Sequence, residues 1–205
     1  MIGYYNYTVI LTYLSLLSAL FGTHLAFCSH HVEALLCLLA CGAFDSFDGI
    51  VARSKKDRTD EEKKFGIQID SLVDMFSFGI FPAIIGYTLG LHSWIWFVAF
   101  GLYAICAVSR LGYFNVAEEI RQNQTTEKRK FYQGLPVTTS CLIFPVIYLL
   151  NYFLDSSIVT TIYGCIMFLV AILFIVDFKM IKPGLKGVMG MVVLGILVAI
   201  GLVLL

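Results

Sequence analysis

Charge is scarce in this chain: 14% of its 205 residues are Asp, Glu, Lys or Arg. Soluble domains carry about 25%, and here hydrophobic residues make up 59% of the sequence. Paired cysteines are missing as well. The six cysteines form no C-x-x-C pair and mostly fall inside apolar runs, which argues against a disulfide scaffold or a closed zinc site. His24 and Cys28 lie one helical turn apart, but two lone ligands fall short of the full set such a site needs. The N-terminus has no basic stretch before its first apolar run, so no cleavable signal is expected. With no evident linker, appended soluble domain or repeat, residues 1–205 read as one membrane domain.

What the chain has instead is a series of apolar runs of about twenty residues, the length that crosses ~30 Å of hydrocarbon. Spans are expected near 8–28, 32–52, 67–90, 93–115, 135–153, 157–176 and 187–205. This is an all-α polytopic bundle of six to seven transmembrane helices, the first or last run being the one that could lie in the interface. Loops near 29–31, 91–92 and 154–156 hold no basic residue. All Lys and Arg fall on the opposite side, at Arg53–Lys64, at Arg110 and Arg121–Lys130, and at Lys179–Lys186. The positive-inside rule therefore places the N-terminus in the cytoplasm. Tyr4, Tyr5, Tyr7, Trp94 and Trp96 suit interfacial belts. Pro82 should kink the third span and free a backbone carbonyl, whereas Pro136 opens the fifth span harmlessly.

Four acids stand out against this background. Asp45-x-x-Asp48-Gly49-x-x-Ala52-Arg53 ends the second span, and Gly66-x-x-x-Asp70-x-x-x-Asp74 begins the third. A carboxylate at mid-bilayer costs at least ~2.5–3.5 kcal/mol, so four together need a compensating charge. Asp45 and Asp48 share one helical face, as do Asp70 and Asp74. Joined by a short connection, the two pairs can build an oxygen-rich pocket for one or two Mg²⁺ or Mn²⁺ ions. Gly49, Ala52 and Gly66 remove side-chain bulk beside it, and Arg53 can clamp a phosphate in two-pronged fashion. Close helix packing is the plainer use of small residues in membranes, but it leaves the acids and the arginine unexplained.

This run resembles the signature of the CDP-alcohol phosphotransferase family, D-x2-D-G-x2-A-R followed by G-x3-D-x3-D, over residues 45–74. The resemblance implies a CDP-linked lipid donor, an alcohol acceptor and release of CMP. By position, Asp45, Asp48, Asp70 and Asp74 would hold two metal ions, with Asp74 also serving as general base. Asp45, Gly49, Ala52, Arg53 and Gly66 would contact the CDP part. The stretch 54–65 between Arg53 and Gly66 is longer than the family's usual gap, which leaves nucleotide contacts within it, including one from Thr59, without a template.

Further segments, Ser77-Phe78-Gly79-x-x-Pro82-Ala83, Arg110-Leu111-Gly112-Tyr113-Phe114-Asn115 and Gly134-Leu135-Pro136, resemble the phosphatidylserine synthase branch of that family. They imply CDP-diacylglycerol as donor and L-serine as acceptor, with Arg110 and Asn115 as acceptor- or phosphate-binding residues. Tyr113 stands where the branch often has a second basic residue. Arg110 reads equally as a snorkelling charge, and Lys128, Arg129 and Lys130 as a basic loop facing anionic lipid. Glycerol 3-phosphate or inositol phosphate as acceptor remains an alternative within the family. A divalent-cation transporter is the alternative outside it, though the acids cluster at one end of their spans and no charge continues a path. The resemblance also implies a homodimer in the cell (cytoplasmic) membrane, its site facing the cytoplasm among membrane lipids. No nucleic-acid partner is expected.

Overall fold

The computed structural model describes residues 3–55, 57–124, 131–181 and 185–205. Eight α-helices carry it: α1 (Ile10–Phe27), α2 (His31–Ser54), α3 (Asp60–Asp74), α4 (Phe81–Thr88), α5 (Trp94–Gln124), α6 (Ser140–Tyr148), α7 (Ser156–Ile175) and α8 (Leu185–Leu204). Six segments among the described residues are long and apolar enough to cross a bilayer, and the protein is an integral membrane protein. The short apolar segment is the fifth, rather than the first or last. Val137–Tyr152 consists of a 3-10 turn, α6 with Pro145 inside it, and a second 3-10 turn. Proline at 145 cannot donate into the helix, which weakens a long regular span there.

Among the described residues, two three-residue strands depart from the all-helical pattern. β1 (Phe131–Gln133) pairs antiparallel with β2 (Lys179–Ile181), Tyr132 facing Met180. The pairing sets β1, which follows α5, against β2, which follows α7, on one side of the bundle. The N-terminal segment meets the start of α3 through side chains. Tyr4 Oη donates to Glu61 (3.0 Å), Asn6 Nδ2 to Glu62 (3.0 Å), and the Tyr4 ring meets Phe65 edge-on.

The third span runs Asp60–Thr88 without a break, but its centre changes pitch. Residues Met75–Ile80 are π-helical, beginning directly after Asp74 and ending one residue before α4, whose first turn holds Pro82. The carbonyl that a residue at 82 would normally engage belongs to Phe78. It instead accepts from Tyr103 Oη at 2.6 Å and Ser140 Oγ at 3.4 Å, while Tyr163 Oη donates to the Pro82 carbonyl at 2.9 Å. The expected freed carbonyl is there, and buried hydroxyls from α5 and α6 satisfy it, as a low-dielectric interior requires. Tyr103 and Tyr163 pack against Phe144, with centroid separations of 5.9 and 4.6 Å. This aromatic core fixes α5, α6 and α7 around the π-helical segment.

Close approach between helices depends on small residues. A Cβ at Gly42 would sit 2.2 Å from Cys141 Sγ, so α2 and α6 touch there only because Gly42 has no side chain. All six cysteines are free. Cys28 Sγ lies 3.8 Å from His24 Nε2, and no third metal-ligating side chain joins them among the described residues.

Candidate active site

Helix α2 presents Asp45 and Asp48, and α3 presents Asp70 and Asp74. The two helices bring these acids face to face. The Asp45 carboxyl lies against that of Asp74, and the Asp48 carboxyl against that of Asp70. Asp74 is buried; the other three are half-buried. Two carboxylates in such contact repel unless a proton or a cation lies between them. One oxygen each from Asp45, Asp70 and Asp74 fall within 4.8 Å of one another. Oxygens on opposite sides of one Mg²⁺, at ~2.1 Å from it, stand ~4.2 Å apart. The donor set is all oxygen and closes to that size by small side-chain rotations, so these residues fit a hard divalent cation.

Asp48 has a further partner. Thr12 Oγ1 on α1 donates to Asp48 Oδ2 at 3.3 Å, which ties the first helix to the acid cluster. Sequence reasoning overlooked Thr12, because a threonine in an apolar run carries no local signal. Deeper in the bundle, Ser15 Oγ and Ser77 Oγ lie 3.5 Å apart and extend the same α1 contact to the π-helical segment.

Beside the acids a cleft opens between α1, α2 and α3. Thr12, Asp48, Gly49, Ala52, Gly66 and Arg58 are among the residues that line it. The three small residues expected at a ligand site thus share one wall system with two of the acids. The side chain of Arg53 lies outside the described part of the structure, as do Lys128, Arg129 and Lys130.

The α2–α3 connection supplies a cation that sequence reasoning missed. Arg58 Nη1 donates to the Ala52 carbonyl (3.3 Å) and Nη2 to the Glu62 carbonyl (3.1 Å). Its neighbour Thr59 has a structural job. Thr59 Oγ1 accepts from the Glu62 N–H (3.2 Å) and Glu62 Oε2 from the Thr59 N–H (3.1 Å), a reciprocal capping box that starts α3. Thr-x-x-Glu ahead of an apolar helix was the available signal. Lys55 Nζ closes the loop on Glu62 at 2.8 Å.

The two remaining site candidates have protein partners. Asn115 Oδ1 accepts from Ser71 Oγ at 3.0 Å, next to Asp70. Arg110 is buried, at 7% exposure, and donates to the carbonyls of Gln133 (3.2 Å), Gly134 (3.3 Å) and Leu135. It holds the turn before α6 in place and lines a second cleft with Tyr113, Gln133 and Asp177. Arg110 is not a snorkelling charge: its guanidinium turns inward to backbone.

The chain is 31% identical over 122 residues to the Saccharomyces cerevisiae CDP-diacylglycerol–serine O-phosphatidyltransferase, covering 58% of this chain and 43% of the yeast protein. It is 35% identical over 109 residues to the Mycobacterium bovis protein of the same name, covering 52% and 36%. It is also 35% identical over 146 residues to the archaetidylserine synthase of Methanothermobacter thermautotrophicus, covering 71% and 55%. The match thus spans about half or less of each of these relatives. Residues 5–177 match the CDP-alcohol phosphatidyltransferase family, and with the four facing aspartates in place the chain belongs to that family.

Proposed function

We propose that the protein transfers a phosphatidyl group from CDP-diacylglycerol to the hydroxyl of L-serine, forming phosphatidylserine and releasing CMP. The observation that carries the reaction class is the pairing of Asp45 with Asp74 and of Asp48 with Asp70 beside a cleft lined by Gly49, Ala52 and Gly66. The serine acceptor is supported by the names of the relatives, all of which are serine enzymes. The archaeal relative leaves the donor's lipid part, ester- or ether-linked, as a second reading of the same chemistry.

In this reading Asp45, Asp48, Asp70 and Asp74 hold two Mg²⁺ or Mn²⁺ ions. Bound there, such ions neutralise a diphosphate and stabilise both attacking and leaving oxygens of an in-line displacement. The protein's own groups do the rest. Gly49, Ala52 and Gly66 let the donor approach the α2 and α3 backbones, and Arg53 binds a donor phosphate. Asp74 takes the proton of the serine hydroxyl as its oxygen bonds to the phosphorus next to diacylglycerol, and the bond from that phosphorus to CMP breaks. Burial of Asp74 keeps competing water away from that proton transfer. Asn115, through Ser71 beside Asp70, and Arg110 serve the acceptor side. The basic segments face the cytoplasm of the cell membrane, where nucleotide and serine are available, and two copies of the single domain 1–205 form a homodimer.

The test is CMP release by purified protein supplied with CDP-diacylglycerol and Mn²⁺ or Mg²⁺. Serine-dependent release is expected. Release with only glycerol 3-phosphate or inositol phosphate would reassign the acceptor, and metal flux into proteoliposomes without any lipid-nucleotide turnover would overturn the enzyme reading.

A further inference from the structure

The stretch between Arg53 and Gly66 carries a cation, Arg58, whose placement bears on the neighbouring cleft. Ala52 ends the small-residue wall of α2, and the connection turns back so that Arg58 faces Gly66 on α3. A Cβ built at Gly66 would lie 2.6 Å from Arg58 Nη2. Glycine at this position therefore makes room for a guanidinium, beyond making room for a ligand. The guanidinium is anchored on two sides by the Ala52 and Glu62 carbonyls.

That anchoring leaves the cation electrostatically incomplete. Two neutral carbonyls orient Arg58 without neutralising it. Its Nε is buried and has no hydrogen-bond partner. Its neighbours differ: Lys55 pairs with Glu62 at 2.8 Å and Lys63 with Asp60 at 3.0 Å, while Arg58 forms no salt bridge among the described residues. Arg58 lies on the same cleft as Asp48 and Asp70. The cleft thus has acids suited to metal at one part and a fixed, unneutralised planar cation at another. A metal-bound diphosphate satisfies both, because its oxygens exceed those the metals engage and a guanidinium offers them a matched fork.

We propose that Arg58 is a second cationic ligand for the diphosphate of the nucleotide-linked donor, contributed by the α2–α3 connection. The proposal rests on the CDP-donor reading above but not on the identity of the acceptor. Gly66 then has a defined part, which is to seat the Arg58 guanidinium at the correct depth.

The experiment is equilibrium binding of CDP to the purified full-length chain in detergent with Mn²⁺ and without serine. Arg58→Gln is expected to weaken CDP binding about tenfold, the equivalent of about 1.4 kcal/mol. Arg58→Lys should fall between it and the parent, because charge is kept and the fork is lost. In turnover assays the KM for CDP-diacylglycerol should rise while that for serine stays put. Gly66→Ala provides a test that does not remove the charge: it should weaken CDP binding by displacing the guanidinium. In the Arg58→Gln background the same Gly66→Ala change should cost less than it does alone, because only the donor contact of Gly66 itself is then left to lose. CDP affinity unchanged in Arg58→Gln, or fully additive losses in the double variant, would overturn the proposal. Because binding is read without acceptor, a parent protein that binds CDP but ignores serine would sink only the acceptor assignment. A parent that binds no CDP would sink the donor reading and this proposal together.

Discussion

Ser71 Oγ donates a 3.0 Å hydrogen bond to Asn115 Oδ1, fastening the residue after Asp70 on α3 to the C-terminal half of α5. The bond joins the acid cluster to a helix that contributes none of the acids. Asn115→Ala removes the acceptor and leaves a half-buried hydroxyl unpaired, at a cost of about 1–3 kcal/mol. Ser71→Ala should cost less, because it also removes the donor that would be stranded. The expected outcome is reduced CMP release in both variants and a double variant no worse than Asn115→Ala, checked by turnover and thermal unfolding of all three.

Asp74 is the most enclosed of the four acids and abuts both Asp45 and the π-helical segment that follows it. Asp74→Asn keeps the shape but cannot accept the serine proton. Loss of a general base costs on the order of 10²–10⁴ in rate, and loss of a metal ligand adds to it. CMP release should therefore fall by at least that range while CDP-diacylglycerol binding largely survives. Single-turnover CMP release and a separate donor-binding measurement check the two halves, and full activity in the variant would remove Asp74 from its assigned role.

Chelation should abolish turnover, and Mn²⁺ or Mg²⁺ should restore it. Asp45→Asn and Asp70→Asn each take one oxygen ligand from the group within 4.8 Å. Mn²⁺ binding measured by electron paramagnetic resonance should weaken in both, whereas Thr12→Val, which removes only a hydrogen bond to Asp48, should bind the metal more nearly as the parent does. Equal Mn²⁺ affinity in all of these would place the metal elsewhere.

Tyr103→Phe removes the hydroxyl that donates to the Phe78 carbonyl at 2.6 Å. The aromatic packing against Phe144 survives, so the change isolates the hydrogen bond. Leaving that buried carbonyl with only the longer Ser140 contact should cost about 1–3 kcal/mol. A lowered unfolding temperature is expected, with donor KM little changed. No loss of stability would mean that the π-helical segment satisfies its own carbonyl.

Much of this protein is legible in one dimension. Hydrophobic run length located the six long spans found among the described residues, and the spacing of Asp45, Asp48, Asp70 and Asp74 dictated which helical faces they share. Those are local properties, set by helical periodicity and by the cost of exposing polar groups to hydrocarbon. The fifth span was harder to read, since composition alone does not distinguish a broken helix around Pro145 from a continuous one. Arg110 shows the same difficulty for a side chain: a charge near a helix end can turn to solvent or to backbone, and only the turn at Gln133–Leu135 decides.

The α2–α3 connection marks the boundary most clearly. Its Thr59-x-x-Glu62 cap was readable from sequence, because a capping box is closed within one turn. Arg58 was not, because its place over Gly66 and against the Ala52 carbonyl depends on how two helices approach each other. By itself the sequence determined the chemistry available: four acids, three small residues and an apolar frame to hold them in a membrane. The tertiary structure decided the pairing of Asp45 with Asp74 and Asp48 with Asp70, the reach of Thr12 from α1, and the seating of Arg58. Each of these is a contact between separate elements, set by packing that no local pattern encodes.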